Sequence, residues 1–157
     1  MSSVHATDRP TWVALAATVG PAGRSPIGPG TMGALAAIPL GIAVDLLAWP
    51  LRILLVSALI WLSLWVTRLY LAGETRHDPQ EIVIDELAGC TVALAFAPLA
   101  PLWFAVAFVL FRAFDIIKPW PINLLEKHEG AFGVVADDIA AGLLSGVITL
   151  LLSSFFG

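Results

Sequence analysis

The residues best suited to chemistry are the acids Asp85-Glu86, Asp115 and Asp137-Asp138. Carboxylates are the hard oxygen donors that Mg²⁺ takes, usually one or two of them together with water and a substrate phosphate. Two basic residues accompany them. Arg112 and Asp115 are three apart and share a helix face, and Lys118 follows, leading into Pro119-Trp120-Pro121. Arg is a planar fork and Lys a point charge, the two usual ways of holding phosphate oxygens. The same spacing fits an internal Arg112–Asp115 pair with Lys118 snorkelling to the surface, and the residues alone leave these readings level. N-capping is the plainer use of Asp85 and Asp137. A cap needs one carboxylate, however, and each of these positions has two. Acids clustered at three helix ends repel unless a cation lies between them, so Mg²⁺ held by Asp85, Glu86, Asp115, Asp137 and Asp138 is expected.

Residues 25–33 (SPIGPGTMG) form a Gly- and Pro-rich stretch leading into a helix. Such a loop presents backbone N–H groups and a helix N-terminus to an anion, and Thr31 fits an N-cap or a phosphate donor. The Lys-Ser/Thr ending of a Walker loop is missing, and a tight re-entrant connection is the plainer alternative. His77-Asp78 and His128-Glu129 read as solvated loop pairs. With no His pair at i, i+4 spacing, a zincin-type site is unsupported.

These residues must be positioned by unusually apolar elements. Of the 157 residues 59% are hydrophobic and 13% charged, about half the charge of a soluble domain. A water-soluble core of this size could not absorb so much apolar sequence. A transmembrane helix needs about 20 mostly apolar residues. Four or five segments approach that: 33–49, which holds Pro39 and Asp45; 51–71, the clearest; 87 to about 97; about 102–114; and 139–156. The third and fourth are short, so tilted or packed inside a bundle. The run at 13–19 is stopped by Gly20-Pro21, too short for a cleavable signal, and reads as an interfacial or buried short helix. The expected fold is all-α, a multi-pass bundle in a single domain over 1–157, with residues 1–10 flexible.

The loops at 21–32, 72–86 and 116–138 must share one side, opposite the tight connections at Trp49-Pro50 and 98–101. Arg9, Arg24, Arg68, Arg76, Arg112, Lys118 and Lys127 fall on the long-loop side and only Arg52 on the other, so the positive-inside rule turns the long loops to the cytoplasm. The acids follow the same side, apart from Asp45. Intramembrane ionisable groups are rare and usually functional. The net charge of −4 offers no basic stripe for nucleic acid. Cys90, the one cysteine, excludes an internal disulfide and a Cys-based zinc site, and reads as a buried filler. The motif Gly142-xxx-Gly146, with Ala141 and Ser145, lets another helix approach closely, which is packing rather than chemistry.

Five stretches in order resemble the signatures of the phosphatidylglycerophosphatase A family: residues 25–33, 82–89 (IVIDELAG), 111–122 (FRAFDIIKPWPI), 130–133 (GAFG) and 137–142 (DDIAAG). The likeness runs from about residue 12 to 155. It implies an all-α enzyme of the bacterial cytoplasmic membrane that converts phosphatidylglycerophosphate to phosphatidylglycerol and inorganic phosphate and needs Mg²⁺. Its motifs fall on Thr31, Asp85, Glu86, Arg112, Asp115, Lys118, Asp137 and Asp138. The roles that chemistry suggests are metal binding by the five acids, catalysis by Asp85, Glu86, Asp115 and Asp138, and substrate binding by Thr31, Arg112 and Lys118. The expected partners are the lipid substrate and the membrane, without nucleic acid, and a homo-oligomer is compatible with this reading.

Two rivals stand beside this reading, the first from another class. A small cation transporter or channel would use the acidic helix ends as a vestibule, but past Asp45 the spans hold only scattered Ser and Thr. Another Mg²⁺-dependent lipid headgroup enzyme, such as a CDP-alcohol phosphotransferase, would need an Asp-Gly…Ala-Arg…Gly…Asp…Asp pattern that is not found.

Overall fold

The computed structural model describes residues 10–72, 74–76 and 79–157. Arg9, His77 and Asp78, and all but the last of the ten N-terminal residues, lie outside that set. Among the described residues the chain is all helical: α1 (Thr11–Ala17), a 3-10 turn (Ala22–Arg24), α2 (Pro29–Asp45), α3 (Trp49–Leu71), α4 (Ile84–Leu94), α5 (Pro101–Ile117), α6 (Ile122–Leu125) and α7 (Ala131–Phe156).

The helix starts follow backbone chemistry. Pro29, Pro50 and Pro101 each stand in a first turn, where the missing N–H costs nothing and the fixed φ is already helical. Trp49-Pro50 therefore opens α3 rather than forming the tight connection expected there, and α2 ends at Asp45. The α2 N-cap is Gly28, at φ +56 and without a side-chain cap bond, so Thr31 is not the cap.

Helix α7 differs most from expectation. It begins after Gly130 rather than at residue 139; the run 131–136 (AFGVVA) holds Gly, Phe and two Val, which are modest helix formers, and its buried Gly133 and Val135 show tertiary packing carrying the extra turns. Asp137 and Asp138 therefore sit about two turns inside a helix, not at its start, and capping cannot explain them.

α4 lies at the centre, with nine of its eleven residues buried, and it packs chiefly on α7 and α2. Small residues make this possible. A Cβ on Gly142 would stand 2.1 Å from the Gly89 carbonyl oxygen, and one on Gly146 would stand 2.7 Å from the Phe96 ring. The core around this crossing includes Ala34, Ala37, Cys90, Leu94, Phe111 and Ala141. A second cluster joins α1 to α3 and the chain before α4 through Val13, Ala17, Val66, Tyr70 and Ile82.

Two helices, α3 with 23 residues and α7 with 26, are long and apolar enough to cross a membrane. Only 22% and 28% of their most apolar windows are buried inside the protein. A soluble core helix would be mostly covered, whereas a helix apolar all round and uncovered suits lipid. Helix α2 is apolar but shorter. At the end of α2 away from the acids, Asp45 pairs with Arg52, whose guanidinium also donates to the Asp45 and Leu47 carbonyls and lies 5.0 Å from the Trp49 ring centre.

Candidate active site

The helices bring their polar ends around one cavity of about 530 Å³. Pro26, Gly28, Pro29 and Gly30 form one wall, Gln80 and Ile82 another, and Asp85 and Glu86 come from the first turn of α4. Arg112, Asp115 and Lys118 come from the end of α5, Glu126 from just beyond α6, and Gly133, Val134, Asp137 and Asp138 from α7. Seven of the eight residues singled out in the sequence thus share one cavity. Thr31 does not line it and stands half-buried in the first turn of α2.

Within the cavity the acids divide into two kinds. Asp85, Glu86 and Asp138 offer carboxylate oxygens that all lie within 4.8 Å of one another. Asp85 and Asp138 are each 4% exposed, and Glu86 Oε2 is buried without a hydrogen-bond partner among the described residues. Three hard oxygen donors, one with an unused acceptor, fit a hard divalent cation. The other acids hold basic partners. Asp115 is paired with Arg112. Asp137 Oδ2 accepts a 2.6 Å hydrogen bond from Lys118 Nζ, which also donates to Glu126 Oε1 at 2.9 Å. Asp115 and Asp137 are neighbours of Asp138, Asp115 within hydrogen-bonding reach of it, yet neither belongs to the trio. The expected five-acid cluster is therefore three acids beside two ion pairs.

Lys118 earns its position by ending α5 in the left-handed region, at φ 46. Such a φ is uncommon for a residue with a Cβ. Here it closes the helix through a 2.8 Å bond from its N–H to the Phe114 carbonyl, and Pro119 stops the chain from continuing as helix. The side chain turns inward rather than snorkelling. Partial burial works against its ammonium, but the bonds to Asp137 and Glu126 outweigh that and hold its pKa above the ordinary lysine range. Arg112 keeps its paired geometry while its Nε is buried without a partner among the described residues.

Gly30 leaves the acid trio room that any side chain there would take. A Cβ on it would stand 2.0 Å from Glu86 Oε1 and 3.3 Å from an Arg112 terminal nitrogen. The glycine lets the start of α2 lie directly on the acid trio and the guanidinium, with the positive end of the helix facing the cavity. The Gly-Pro composition of 25–33 pointed to a backbone that meets an anion or makes a tight connection; its closest neighbours at Gly30 are the Glu86 and Arg112 side chains. Gln80 and Glu126 carried no sequence signal. Among the other residues considered, His128 is exposed in the loop before α7, its ring 5.5 Å from Phe132, and Cys90 is a buried free thiol.

The match of the phosphatidylglycerophosphatase A family model covers residues 15–153. The chain belongs to the phosphatidylglycerophosphatase A family. The Escherichia coli phosphatidylglycerophosphatase A is 39% identical over 87% of this chain and 80% of its own length. The Haemophilus influenzae protein of the same name is 37% identical over 76% of each chain. A Bacteroides thetaiotaomicron protein provisionally named a phosphatidylinositol-3-phosphatase is 33% identical over 80% of this chain and 84% of its own. No solved structure gives a significant match. The cavity residues, from Pro26 to Asp138, all lie inside the span that the family model matches.

Proposed function

We propose that this chain, acting as a single membrane-embedded domain, hydrolyses phosphatidylglycerophosphate to phosphatidylglycerol and inorganic phosphate with Mg²⁺ as cofactor. One observation carries the reading: Asp85, Glu86 and Asp138 converge in the same cavity as Arg112 and Lys118. Carboxylates alone would repel a phosphate, and basic residues alone would bind it without a means of cleaving it.

Asp85, Glu86 and Asp138 would hold the ion, and when bound it supplies charge neutralisation and Lewis acidity at the phosphoryl group. The protein groups do the rest. Arg112 and Lys118 steady the non-bridging oxygens as charge spreads in the transition state. Asp115 fixes the plane of the Arg112 fork, and Asp137 fixes the Lys118 ammonium, so both cations are placed before substrate arrives. The N-terminus of α2 at Pro29 and Gly30 adds a positive dipole end on the same side.

The starts of α2, α4 and α7 and the ends of α3 and α5 share the cavity side. Arg24, Arg68, Arg112, Lys118 and Lys127 go with them and Arg52 lies at the other end, so the cavity opens to the cytoplasmic face of the bacterial inner membrane and the longer helices form a multi-pass bundle. Trp120, 77% exposed beside Lys118, suits the headgroup plane.

The test is phosphate release from phosphatidylglycerophosphate in detergent micelles, with Mg²⁺ and with chelator, for the native chain and for Asp85→Asn, Asp115→Asn and Asp138→Asn. The expected result is Mg²⁺-dependent release that the Asn variants lose while remaining helical and monodisperse. Undiminished activity in all three would remove the site assignment. Cation flux into vesicles without phosphate release would favour the transporter reading instead.

A further inference from the structure

Away from the polar cavity, α2 and α5 border a second, apolar one. Residues four apart lie on one helix face. On α2, the face that brings Gly30 to the polar cavity continues through Ala34 to Ile38 and Ile42. On α5, the face carrying Arg112 runs back through Phe108 to Phe104. Ile38 and Ile42, together with Pro101, Phe104, Ala105 and Phe108, border a groove of about 660 Å³ with no charged side chain in its wall. The same antiparallel pair of helices therefore presents charge at one end and hydrocarbon at the other.

The depth is informative. At a rise of about 1.5 Å per residue, Phe104 lies about 12 Å below Arg112 and Ile42 about 18 Å below Gly30. One leaflet of a bilayer contributes about 15 Å of hydrocarbon, half of a core about 30 Å thick. The groove thus lies where the far part of an acyl chain would hang if its headgroup phosphate occupied the polar cavity. Ile42 is 41% exposed and Ala105 is also exposed, so the groove is open from the side, as entry from a leaflet requires.

We infer that the α2–α5 groove seats one acyl chain of the lipid whose phosphate is bound at the acid trio. The inference rests on the lipid-phosphatase reading. Moving a tail from lipid to an apolar groove gains little by itself, because both are hydrocarbon. The groove acts by fixing the direction of the lipid, and misplacement of a reacting group costs rate steeply.

The experiment uses the full chain in micelles and a phosphatidylglycerophosphate bearing a diazirine at the end of one long acyl chain. Illumination should label peptides of α2 and α5 around Ile38, Ile42, Phe104 and Phe108, and excess unlabelled long-chain lipid should compete. Ala105→Trp and Ile42→Trp, both at exposed positions, should fill the groove. Each should remove that labelling and lower kcat/KM for long-chain substrate about tenfold or more. Each should match the native protein on a short-chain phosphatidylglycerophosphate, whose tails do not reach the groove; this shows that the fold and the polar site survive. Labels spread evenly over the outer faces of α3 and α7, or filling variants equally active on long chains, would overturn the inference. So would a dimer in which a second copy shields the groove from the probe. Groove labelling without phosphate release by the native chain would instead remove the phosphatase reading and leave the groove standing. Phosphate release with labelling elsewhere would do the reverse.

Discussion

Gly30→Ala separates the chemistry of the site from the stability of the fold. The added methyl would stand 2.0 Å from Glu86 Oε1 and 3.3 Å from Arg112 Nη2. Both atoms end flexible side chains, so the backbone need not move and the carboxylate swings away. The helix itself is no worse for the change, since Ala is favoured over Gly by up to about 1 kcal/mol in a helix and by less in a first turn. The metal trio bears the cost. Disturbing even the outer partners of a metal site typically lowers affinity about 10–100-fold, or about 1.4–2.8 kcal/mol at 1.4 kcal/mol per tenfold. Displacing Glu86, a member of the trio, should cost at least as much. A Mg²⁺ titration of phosphate release and a thermal melt in the same detergent read the two effects separately. The expected outcome is a half-saturating Mg²⁺ concentration raised at least about tenfold, with an unchanged or slightly higher Tm. A native Mg²⁺ dependence would show that Glu86 does not serve the ion. A Tm that falls in step with activity would show that the methyl acts on packing and that the argument from Glu86 is wrong.

Other perturbations reach other parts of the molecule. Lys118→Met strands the buried Asp137, and should lower stability by about 1–2 kcal/mol, discounted because Lys118 is partly solvated, together with most of the activity. Because the folded protein holds the Lys118 pKa above its ordinary range, the stabilisation is fully present below about pH 10 and is lost as pH rises through the folded value. The Tm gap between native and variant protein, measured from neutral to strongly alkaline pH, should therefore stay level and shrink only at the top of the range. Arg52→Ala removes the ion pair of Asp45 at the end of α2 away from the acids, and should cost about 1–2 kcal/mol, less than breaking a fully buried pair because both residues are half-buried. In that variant phosphate release per folded molecule should be unchanged, and a matching loss of kcat would refute the separation of the two ends. Gly142→Ala places a methyl 2.1 Å from the Gly89 carbonyl oxygen, a backbone clash that should cost about 1–3 kcal/mol or more, visible as a lower Tm.

The sequence disclosed the helices because apolar runs broken by Pro and Gly leave little choice of element. It also disclosed the convergence of the acids, since loop lengths force the starts of α4 and α7 and the end of α5 to one side. It could not disclose how those acids are shared out. The Arg112–Asp115 pair was one of two level readings, and three-residue spacing cannot say which wins once a cavity brings further carboxylates close. The Lys118–Asp137 bond spans nineteen residues and depends on Lys118 adopting a left-handed φ that composition does not signal. The start of α7 was misplaced because charge at Asp137-Asp138 looks like a helix beginning. Those acids sit inside the helix because that part of it faces the polar cavity, where Lys118 pairs with Asp137. Gly30 belongs to a stretch whose backbone was expected to approach an anion. What it approaches most closely is a carboxylate and a guanidinium of the protein itself.

The same crossing that holds the bundle together sets the spacing of the acids. Asp85 lies four residues before Gly89 on α4, and Asp138 lies four before Gly142 on α7. Both acids therefore stand one turn from the point where the two backbones touch, on the faces that point toward each other. A Cβ on Gly89 would itself meet the Asp138 carbonyl oxygen at 2.5 Å. Any side chain wedged between these glycines would spread the helices and separate the carboxylates by a similar distance. Mg²⁺ tolerates little departure from oxygen ligands at about 2.0–2.1 Å. Six acids and two cations line the cavity; Arg112 pairs with Asp115 and Lys118 bonds both Asp137 and Glu126, while Asp85, Glu86 and Asp138 group nearest the crossing. The three carboxyls thus stand close together at the point where the packing of α4 on α7 is tightest. An ion bound there should accordingly raise the Tm of the native chain, and by less in any variant that has lost one of the three.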